Sequence, residues 1–433
     1  MTETIGPLIV TDVAHGGWCV ARDDGRVVFV SGTLPGEVVT AEVIERRSRL
    51  WFARAREILT ASPDRVPHIW PLAERTGVGG ADLGHVALEA QRRWKADVIA
   101  HQLRRIAHLE AEVTVEAAPG DDERDGLRWR DRLDLVVDDD HRLAMHASGA
   151  HRLVALDEMP LAHEIVAAAL AAVDDAPGRP GERVRIVRAS GESDEGVAHI
   201  VALSDAVADD HDVEAADSPR RGRRASRPPR QVGGDDPAPV LTQRVETARG
   251  TWTYRVAADG FWQAHRQAGA VLVDAVLDSL GDLTGARVLD LYSGSGLFTL
   301  PLAAAVGEGG SVAAVEGDER AAAAVAVATI EEPVTVWNTD VRQALGPEGK
   351  VARRADAVVC DPPRSGLGRE AVEGIVQRRP REIAYVSCDP ASLARDLGFF
   401  QERGYELAHL RAFDLFPHTH HVESLALLRP LAD

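Results

Sequence analysis

Residues 287–316 read RVLDLYSGSGLFTLPLAAAVGEGGSVAAVE, and their pattern decides the fold. A β-branched, apolar run (RVLDLYS) is followed by a helix-like stretch (LFTLPLAAAV) and a second apolar run (SVAAVE). Strand, helix, strand in that order needs a crossover, so the two strands lie parallel with the helix on one face. The alternation continues through helix-like DERAAAAVAVATI (318–330) and the strands DAVVCDPP (356–363) and EIAYVSCD (382–389). The last stretch, YELAHLRAFDLFPHTHHVESLALLRP (405–430), offers two strands with no helix between them. The expectation over 241–433 is therefore an α/β domain: a mostly parallel sheet with helices on both faces, closed by a C-terminal antiparallel hairpin.

Outward from this region the pattern changes twice. RVVFVSGTLPGEVVTAEVIE (26–45) alternates, and Pro35-Gly36 breaks it into two strands, so a small OB-like β-barrel is expected over 1–62. From Leu83 on, Val86, Leu88, Trp94, Val98, Ile99, Leu103 and Ile106 recur at helical spacing, with Lys95 and the arginines on the face expected to meet solvent. The strand-like RLDLVV (132–137) and RVRIVRA (183–189) and helix-like AHEIVAAALAAV (162–173) make 63–240 a central α+β domain, whose segment 86–120 is expected near the catalytic domain. Residues 205–239 lose apolar periodicity: an acidic block, an arginine cluster from Arg220 to Arg230, then Gly and Pro. By composition this is a disordered insertion.

The 433 residues carry a net charge of −19, which speaks against a surface basic all over but leaves room for a local basic groove. No apolar run has the length of a bilayer-spanning helix, the first residues lack a signal-peptide pattern, and three scattered cysteines make no disulfide framework. A cytoplasmic, membrane-free protein is expected. Nothing resembles a dimerisation helix, so a monomer is expected.

Gly294 and Gly296 stand between a buried strand and a helix, where a backbone without Cβ lets a ligand approach a helix N-terminus. Glu316 ends the next strand 20 positions after Gly296, the spacing of a ribose-hydroxyl acceptor. The third glycine of a dinucleotide fingerprint is missing, since Leu297-Phe298 follow. This favours an adenosine ligand without a pyrophosphate, such as S-adenosylmethionine, over NAD. The bland alternative is a tight turn beside an unrelated charge. Asp361-Pro362-Pro363 then end a strand at the same edge of the sheet, where Asp361 can accept a hydrogen bond and Cys360 reads as core.

Cys388 ends the following strand. Asp389 is a good N-cap and Pro390 a good first helical residue, so the thiol sits beside a helix N-terminus that favours thiolate, while Asp389 opposes it. Two readings stand for Cys388: a nucleophile, or a buried inert thiol. In FPHTHHVESL (416–425), His418, His420, His421 and Glu423 suggest a metal. In an extended strand, however, His418 and His420 point one way and His421 with Glu423 the other, so no metal site is expected. Glu423 reads as a carboxylate at a strand start, available as a base.

These segments together resemble the RNA uracil-5-methyltransferase family, nearly end to end. GGWCVARDDGRVVFVSGTLPGEVVTAEVIE (16–45) is similar to its RNA-binding TRAM domain, and GFWQAHRQAG (260–269) to its Phe-x-Gln-x-Asn segment. LDLYSGSGLFTL, CDPPRSGL, VSCDPASLARDL and FPHTHHVESLALL stand in the order of its catalytic motifs. The resemblance implies a Rossmann-like class I methyltransferase domain that transfers a methyl group from S-adenosylmethionine to carbon 5 of a flipped uridine in RNA, ribosomal more than transfer RNA. It makes Cys388 the nucleophile and Glu423 the base, and it places Gln263, Tyr292, Glu316, Asp361 and, less securely aligned, Asp340 against the cofactor with Gly294 and Gly296.

The chain departs from the family at several points. Many members hold an iron–sulfur cluster on four cysteines, but Val78, Ala81 and Met159 stand at cluster positions here, so no cluster is expected. Leu297 and His265 replace two family asparagines near the cofactor. The competing readings are a non-catalytic RNA-binding protein that keeps the fold, and an amino-methyltransferase acting on a base nitrogen or a protein. The latter needs no nucleophilic cysteine, and its Asp-Pro-Pro segment ends in an aromatic where Arg364 stands here.

Overall fold

The computed structural model describes residues 3–147, 152–191, 193, 195–203, 238–329 and 333–431. The expectation for 205–239 thus falls almost wholly outside the described residues.

The chain begins as a closed barrel of β1 (Thr4–Ala14), β2 (Trp18–Asp23), β3 (Arg26–Ser31), β4 (Val38–Arg46) and β5 (Leu50–Thr60), in the order β1-β2-β3-β5-β4. Alternation sends Cys19, Ala21, Val28, Val30 and Ala53 into its core and their neighbours outward. Glu37, fully buried after the Pro35-Gly36 turn, is held by both nitrogens of the Arg65 fork (2.6 and 2.8 Å), which ties the barrel to the chain that leaves it.

A short helix α1 (Pro71–Thr76) ends at Gly77, and α2 (Leu88–Gln102) follows, widening into a π-helical turn at Leu103–Ala107. Ala90, Trp94 and Val98 of α2 belong to the barrel core, whereas Ile99 and Leu103 belong to the catalytic core, so one helix seals two layers. The expected solvated face is corrected here. Lys95 is completely buried, donating to Asp414 and to the Phe416 carbonyl oxygen (3.0 Å). Ile106, expected inside, is partly exposed instead, because the π-turn rotates the last residues off the apolar stripe. Burial pushes the Lys95 pKa down and Asp414 opposes the shift. A pair of this kind costs little while intact and a great deal when halved. Asp414→Asn is therefore expected to lower unfolding free energy by about 3 kcal/mol in urea titration, with Lys95→Met on the same background recovering most of the loss. Equal stability of the single variant and the wild type would contradict this.

Next comes β6 (Val115–Ala117). Then β7 (Arg132–Val137), β8 (Leu143–His146), β9 (Leu153–Ala155), β10 (Arg183–Ala189) and β11 (Val197–Leu203) form a sheet in the order β11-β10-β7-β8-β9, with helix α3 (Glu164–Ala171) between β9 and β10 in the chain and β10 antiparallel to both neighbours. A hairpin of β12 (Val240–Thr247) and β13 (Gly250–Ala257) leads out of it.

The remaining chain alternates as the sequence implies: α4 (Ala268–Leu280), β14 (Arg287–Leu291), α5 (Thr299–Val306), β15 (Ser311–Glu316), α6 (Glu319–Ala328), β16 (Val334–Asn338), α7 (Val341–Leu345), β17 (Ala357–Cys360), α8 (Gly368–Gln377), β18 (Glu382–Ser387), α9 (Pro390–Gln401), β19 (Tyr405–Asp414) and β20 (Glu423–Pro430). Among the described residues the sheet order is β16-β15-β14-β17-β18-β20-β19-β6. The strands from β16 to β18 are parallel, and β20 runs antiparallel to both β18 and β19. The expected mostly parallel sheet with a C-terminal hairpin is thus present, and β6 extends it by pairing parallel to β19. Each face of the sheet carries its own apolar layer, with Val358, Cys360 and Leu393 in one and Val288, Val359 and Leu302 in the other. Cys360 is core, as read. Among the described residues no helix is long and apolar enough to cross a membrane.

Candidate functional site

Strand order alone gathers the expected residues. Neighbouring parallel strands end at one edge, so Glu316 of β15, the Tyr292–Gly296 turn after β14, Asp361 after β17 and Cys388 after β18 lie along it in that order. Because β20 is antiparallel, its first residue, Glu423, stands at this same edge, one pair beyond Ser387↔Ser424. The strand order reverses between β14 and β17, where open α/β sheets bind ligands.

The turn after β14 is built for close approach. Tyr292 adopts a left-handed φ of +61° and Gly294 one of +53°, and a Cβ added to Gly294 would meet no atom within 4 Å. Glu316 braces the turn, accepting from the Gly294 N–H (2.7 Å) and the Asp318 N–H (2.7 Å). A carboxylate has about four acceptor positions, so two remain for ribose hydroxyls, and the open space beside Gly294 and Gly317 admits them. Buried Ser293 has an unpartnered hydroxyl. Asp290 accepts from Thr299, keeps one unpartnered oxygen, and is pushed up to about 7 by burial. The sequence reading missed both residues, although each lies within the LDLYSGSG segment. The set fits an adenosine ligand.

Other expected contacts are less direct. Asp340 caps α7 through its carboxylate, accepting from the Arg342 and Gln343 N–H groups, and is largely exposed. Gln263 lies in the connection between β13 and α4, partly exposed. The two departures turn inward. His265 is buried against Asp121 (2.9 Å) and stacks on Trp129, while Leu297 is in the core and its carbonyl oxygen accepts from Tyr254 (3.0 Å).

Around Cys388 the structure builds a pocket lined by His15, Arg364, Asp389, Pro390, His420, His421 and Val422. Asp389 caps α9 through the Ser392 N–H (2.6 Å), and Pro390 opens the helix, as expected. His15, from the turn between β1 and β2, reaches Asp389 (3.1 Å), so the barrel itself closes one wall. At Gly17 in the same turn, an added Cβ would lie 2.6 Å from Asp82 Oδ2 and 3.4 Å from His420 Cβ. Only glycine allows that approach.

The segment before Glu423 corrects one expectation. Residues 417–422 form a connection, not a strand, with His418 at a left-handed φ of +66° and the Thr419 N–H bonded back to Phe416. Proline at 417 and the tie to α2 are the physical reasons: Gln91 accepts from the His418 N–H (2.7 Å) and reaches its ring (3.1 Å). His418 turns away to Gln91 and Asp125, but His420 and His421, expected on opposite faces, pack ring against ring at 4.0 Å and line the same pocket, with His420 on Asp82 (2.7 Å) and His421 against Arg364 (3.2 Å). Among the described residues no group of three or more potential ligands is arranged to hold a metal.

Glu423 is buried, with Oε1 unpartnered. Burial raises its pKa well above the carboxylate range, the Asp361 charge adds to the shift, and Arg364 opposes it. Burial likewise raises Asp361. The balance left open at Cys388 falls the same way: burial pushes the thiol up, Glu423 and Asp361 push further, and Arg364 pulls back. The thiol, the two carboxylates and one guanidinium therefore form a single electrostatic unit. Cys19 and Cys360 are fully buried, so alkylation of the folded protein reports Cys388. Its iodoacetamide rate is expected to keep climbing above pH 9, past the point where an ordinary thiol of pKa about 8.5 levels off. Removing the cation raises the thiol pKa further, so Arg364→Gln slows alkylation at pH 8; a faster reaction would contradict the assigned sign.

A family model described as tRNA (Uracil-5-)-methyltransferase matches residues 352–430, which include Asp361, Cys388 and Glu423, and a TRAM domain model matches residues 5–56, within the barrel. An uncharacterized RNA methyltransferase of Bifidobacterium longum is 38% identical over 96% of this chain and 94% of its own length. The 23S rRNA (uracil(1939)-C(5))-methyltransferase RlmD of Halomonas elongata is 34% identical over 97% and 89%. The fold matches that of Pyrococcus abyssi tRNA (uracil-54, C5)-methyltransferase, solved with S-adenosyl-L-homocysteine, with a TM-score of 0.65 at 21% identity over 99% of this chain and 100% of that one. The chain thus belongs to the RNA uracil-5-methyltransferase family, S-adenosylmethionine-dependent enzymes, and carries the TRAM domain at its N-terminus.

Proposed function

We propose that the protein methylates carbon 5 of a uridine in structured ribosomal RNA through a covalent bond between Cys388 and carbon 6 of the base. The observation that carries the reading is the pairing of a pocket thiol with a buried carboxylate, Glu423, whose Oε1 has no partner, across the shared cation Arg364. Ribosomal RNA is favoured because the 34%-identical Halomonas relative is named for a 23S rRNA uridine.

The chemistry follows from the base. Carbon 5 of uracil is a poor nucleophile until electron density is pushed onto it. The Cys388 thiolate bonds to carbon 6, and the electron pair of the 5,6 double bond moves to carbon 5 and the neighbouring carbonyl. S-adenosylmethionine, when bound, supplies the methyl group that carbon 5 takes. Glu423 then removes the hydrogen left on carbon 5, the double bond re-forms, and the Cys388 sulfur leaves as thiolate. Glu316, Gly294 and Asp361 are assigned to holding the methyl donor, with Tyr292, Gly296, Gln263 and Asp340 along its edge. The target base leaves its stack to enter, as in other base-modifying enzymes.

An iron–sulfur cluster does not fit this chain. Val78, Ala81 and Met159 are buried in one apolar cluster with Trp70, and Cys19 and Cys360 sit in two other cores. No step here needs a cluster. The test is to incubate the protein with S-adenosylmethionine and RNA lacking 5-methyluridine, then identify the nucleosides by mass spectrometry. 5-Methyluridine in ribosomal RNA is the expected product; a methyl on a base nitrogen would overturn the reading.

A further inference from the structure

Between β13 and α4 the chain runs through residues 258–267, the connection that carries Gln263. It lies against both turns of the nucleotide end. Asp259 pairs with Arg320 of α6 (2.8 and 2.9 Å), the helix that follows Glu316. Trp262 packs on Tyr254 (5.0 Å), whose hydroxyl donates to the Leu297 carbonyl oxygen in the turn after β14. The connection also meets the central sheet. Alternation sends Leu133, Leu135, Val184 and Ile186 of β7 and β10 into an apolar core, so Asp134 and Arg185, directly paired across the two strands, share the opposite face. A charged face on a sheet reads as a solvated one, yet Arg185 is 1% exposed. Its fork takes both Asp134 oxygens (2.6 and 2.9 Å), and its remaining nitrogen donates to the carbonyl oxygens of Gly260 (2.6 Å) and Ala258 (3.3 Å). Arg132, near the same carboxylate, donates to the Trp262 carbonyl oxygen (3.0 Å).

We infer that Arg185, locked by Asp134, is a positioning residue for the methyl donor: it fixes the backbone at 258–260 and so sets how far Gln263 reaches over the nucleotide end of the site. The assignment rests on the reading above that Gln263 touches the donor. A connection outside the strand ladders must find donors for its carbonyls elsewhere, and the group that supplies them fixes its path. Here that group is a guanidinium whose own direction is set by a bidentate carboxylate, so the two residues act as one rigid bracket. Lysine does not replace it, because one ammonium has no planar fork to hold Asp134 and reach Gly260 at once. The central domain thereby contributes to donor binding although Arg185 touches no reacting atom.

The test measures S-adenosyl-L-homocysteine affinity of the full-length protein by calorimetry, with no RNA present. Arg185→Lys is expected to weaken it about tenfold, the size of one lost hydrogen bond, with RNA affinity, measured without the methyl donor, kept within about twofold. Arg185→Met together with Asp134→Leu removes the buried pair whole, so no half-pair burdens the fold. Its urea midpoint should stay near that of the wild type while the same loss of donor affinity appears. Gln263→Ala should lose as much, and adding Arg185→Lys to it should lose little more, a coupling that a purely structural role does not produce. Unchanged donor affinity in both Arg185 variants, equal loss of donor and RNA affinity, or full additivity with Gln263→Ala overturns the positioning role. Wild-type affinity in Gln263→Ala removes the donor contact and the positioning role with it. No methyl transfer is measured, so failure here and failure of 5-methyluridine formation are separately visible.

Discussion

Cys388→Ser is expected to abolish 5-methyluridine formation, by on the order of 10⁴-fold or more, the scale on which covalent catalysts lose rate with their nucleophile. The chemistry leaves no substitute. A serine hydroxyl ionises far above any working pH, and the groups that already push the Cys388 thiol upward, burial together with Glu423 and Asp361, would oppose an alkoxide still more. The other two cysteines are sealed in separate cores and do not reach the pocket. Nucleoside mass spectrometry on RNA treated with the variant is the measurement, with urea unfolding as the control for fold. Product at the wild-type rate would dismiss the covalent route and return the amino-methyltransferase reading. On the proposed mechanism both Cys388 and Glu423 act deprotonated, and both are raised, so kcat/KM is expected to rise with pH through the neutral and alkaline range.

The catalytic sheet was legible because each of its signals is local. Asp389-Pro390 announces a helix start within two residues, Gly294 and Gly296 a strand-to-helix turn, and the absence of a helix between β19 and β20 a hairpin. From those, the edge that collects Glu316, Asp361, Cys388 and Glu423 follows by topology. What was not legible depends on residues far apart in the chain. Lys95 looked like one more solvent-facing cation because its partner, Asp414, is 319 positions away. The connection before Glu423 was read as strand because alternation is a local rule, whereas Gln91, 327 positions from His418, and Asp82 decide its path. His15 carried no sign of its place: only closure of the barrel against α9 brings it to Asp389.

Glu423→Gln separates the two halves of the reaction, and its expected signature is an accumulating intermediate. Glutamine keeps the shape of the side chain and can still pair with what the carboxylate faces, but it accepts no proton at a useful pH. Addition of Cys388 to carbon 6 and methylation of carbon 5 need no base at this position, so they proceed. Elimination needs the hydrogen on carbon 5 removed, and the only buried carboxylate at the strand start of β20 among the described residues is then gone. Removing a general base costs roughly 10²–10⁴-fold in turnover. The protein should therefore migrate on a denaturing gel as a complex with RNA, heavier by the RNA plus one methylene, in a band that depends on S-adenosylmethionine for that last increment. Cys388→Ser on the same background should erase it, because the bond that survives denaturation is the sulfur–carbon 6 bond. A Glu423→Gln variant that turns over normally and traps nothing would mean that another group takes the proton, and Asp361, raised by burial and close enough to act on Glu423, would be the next to replace.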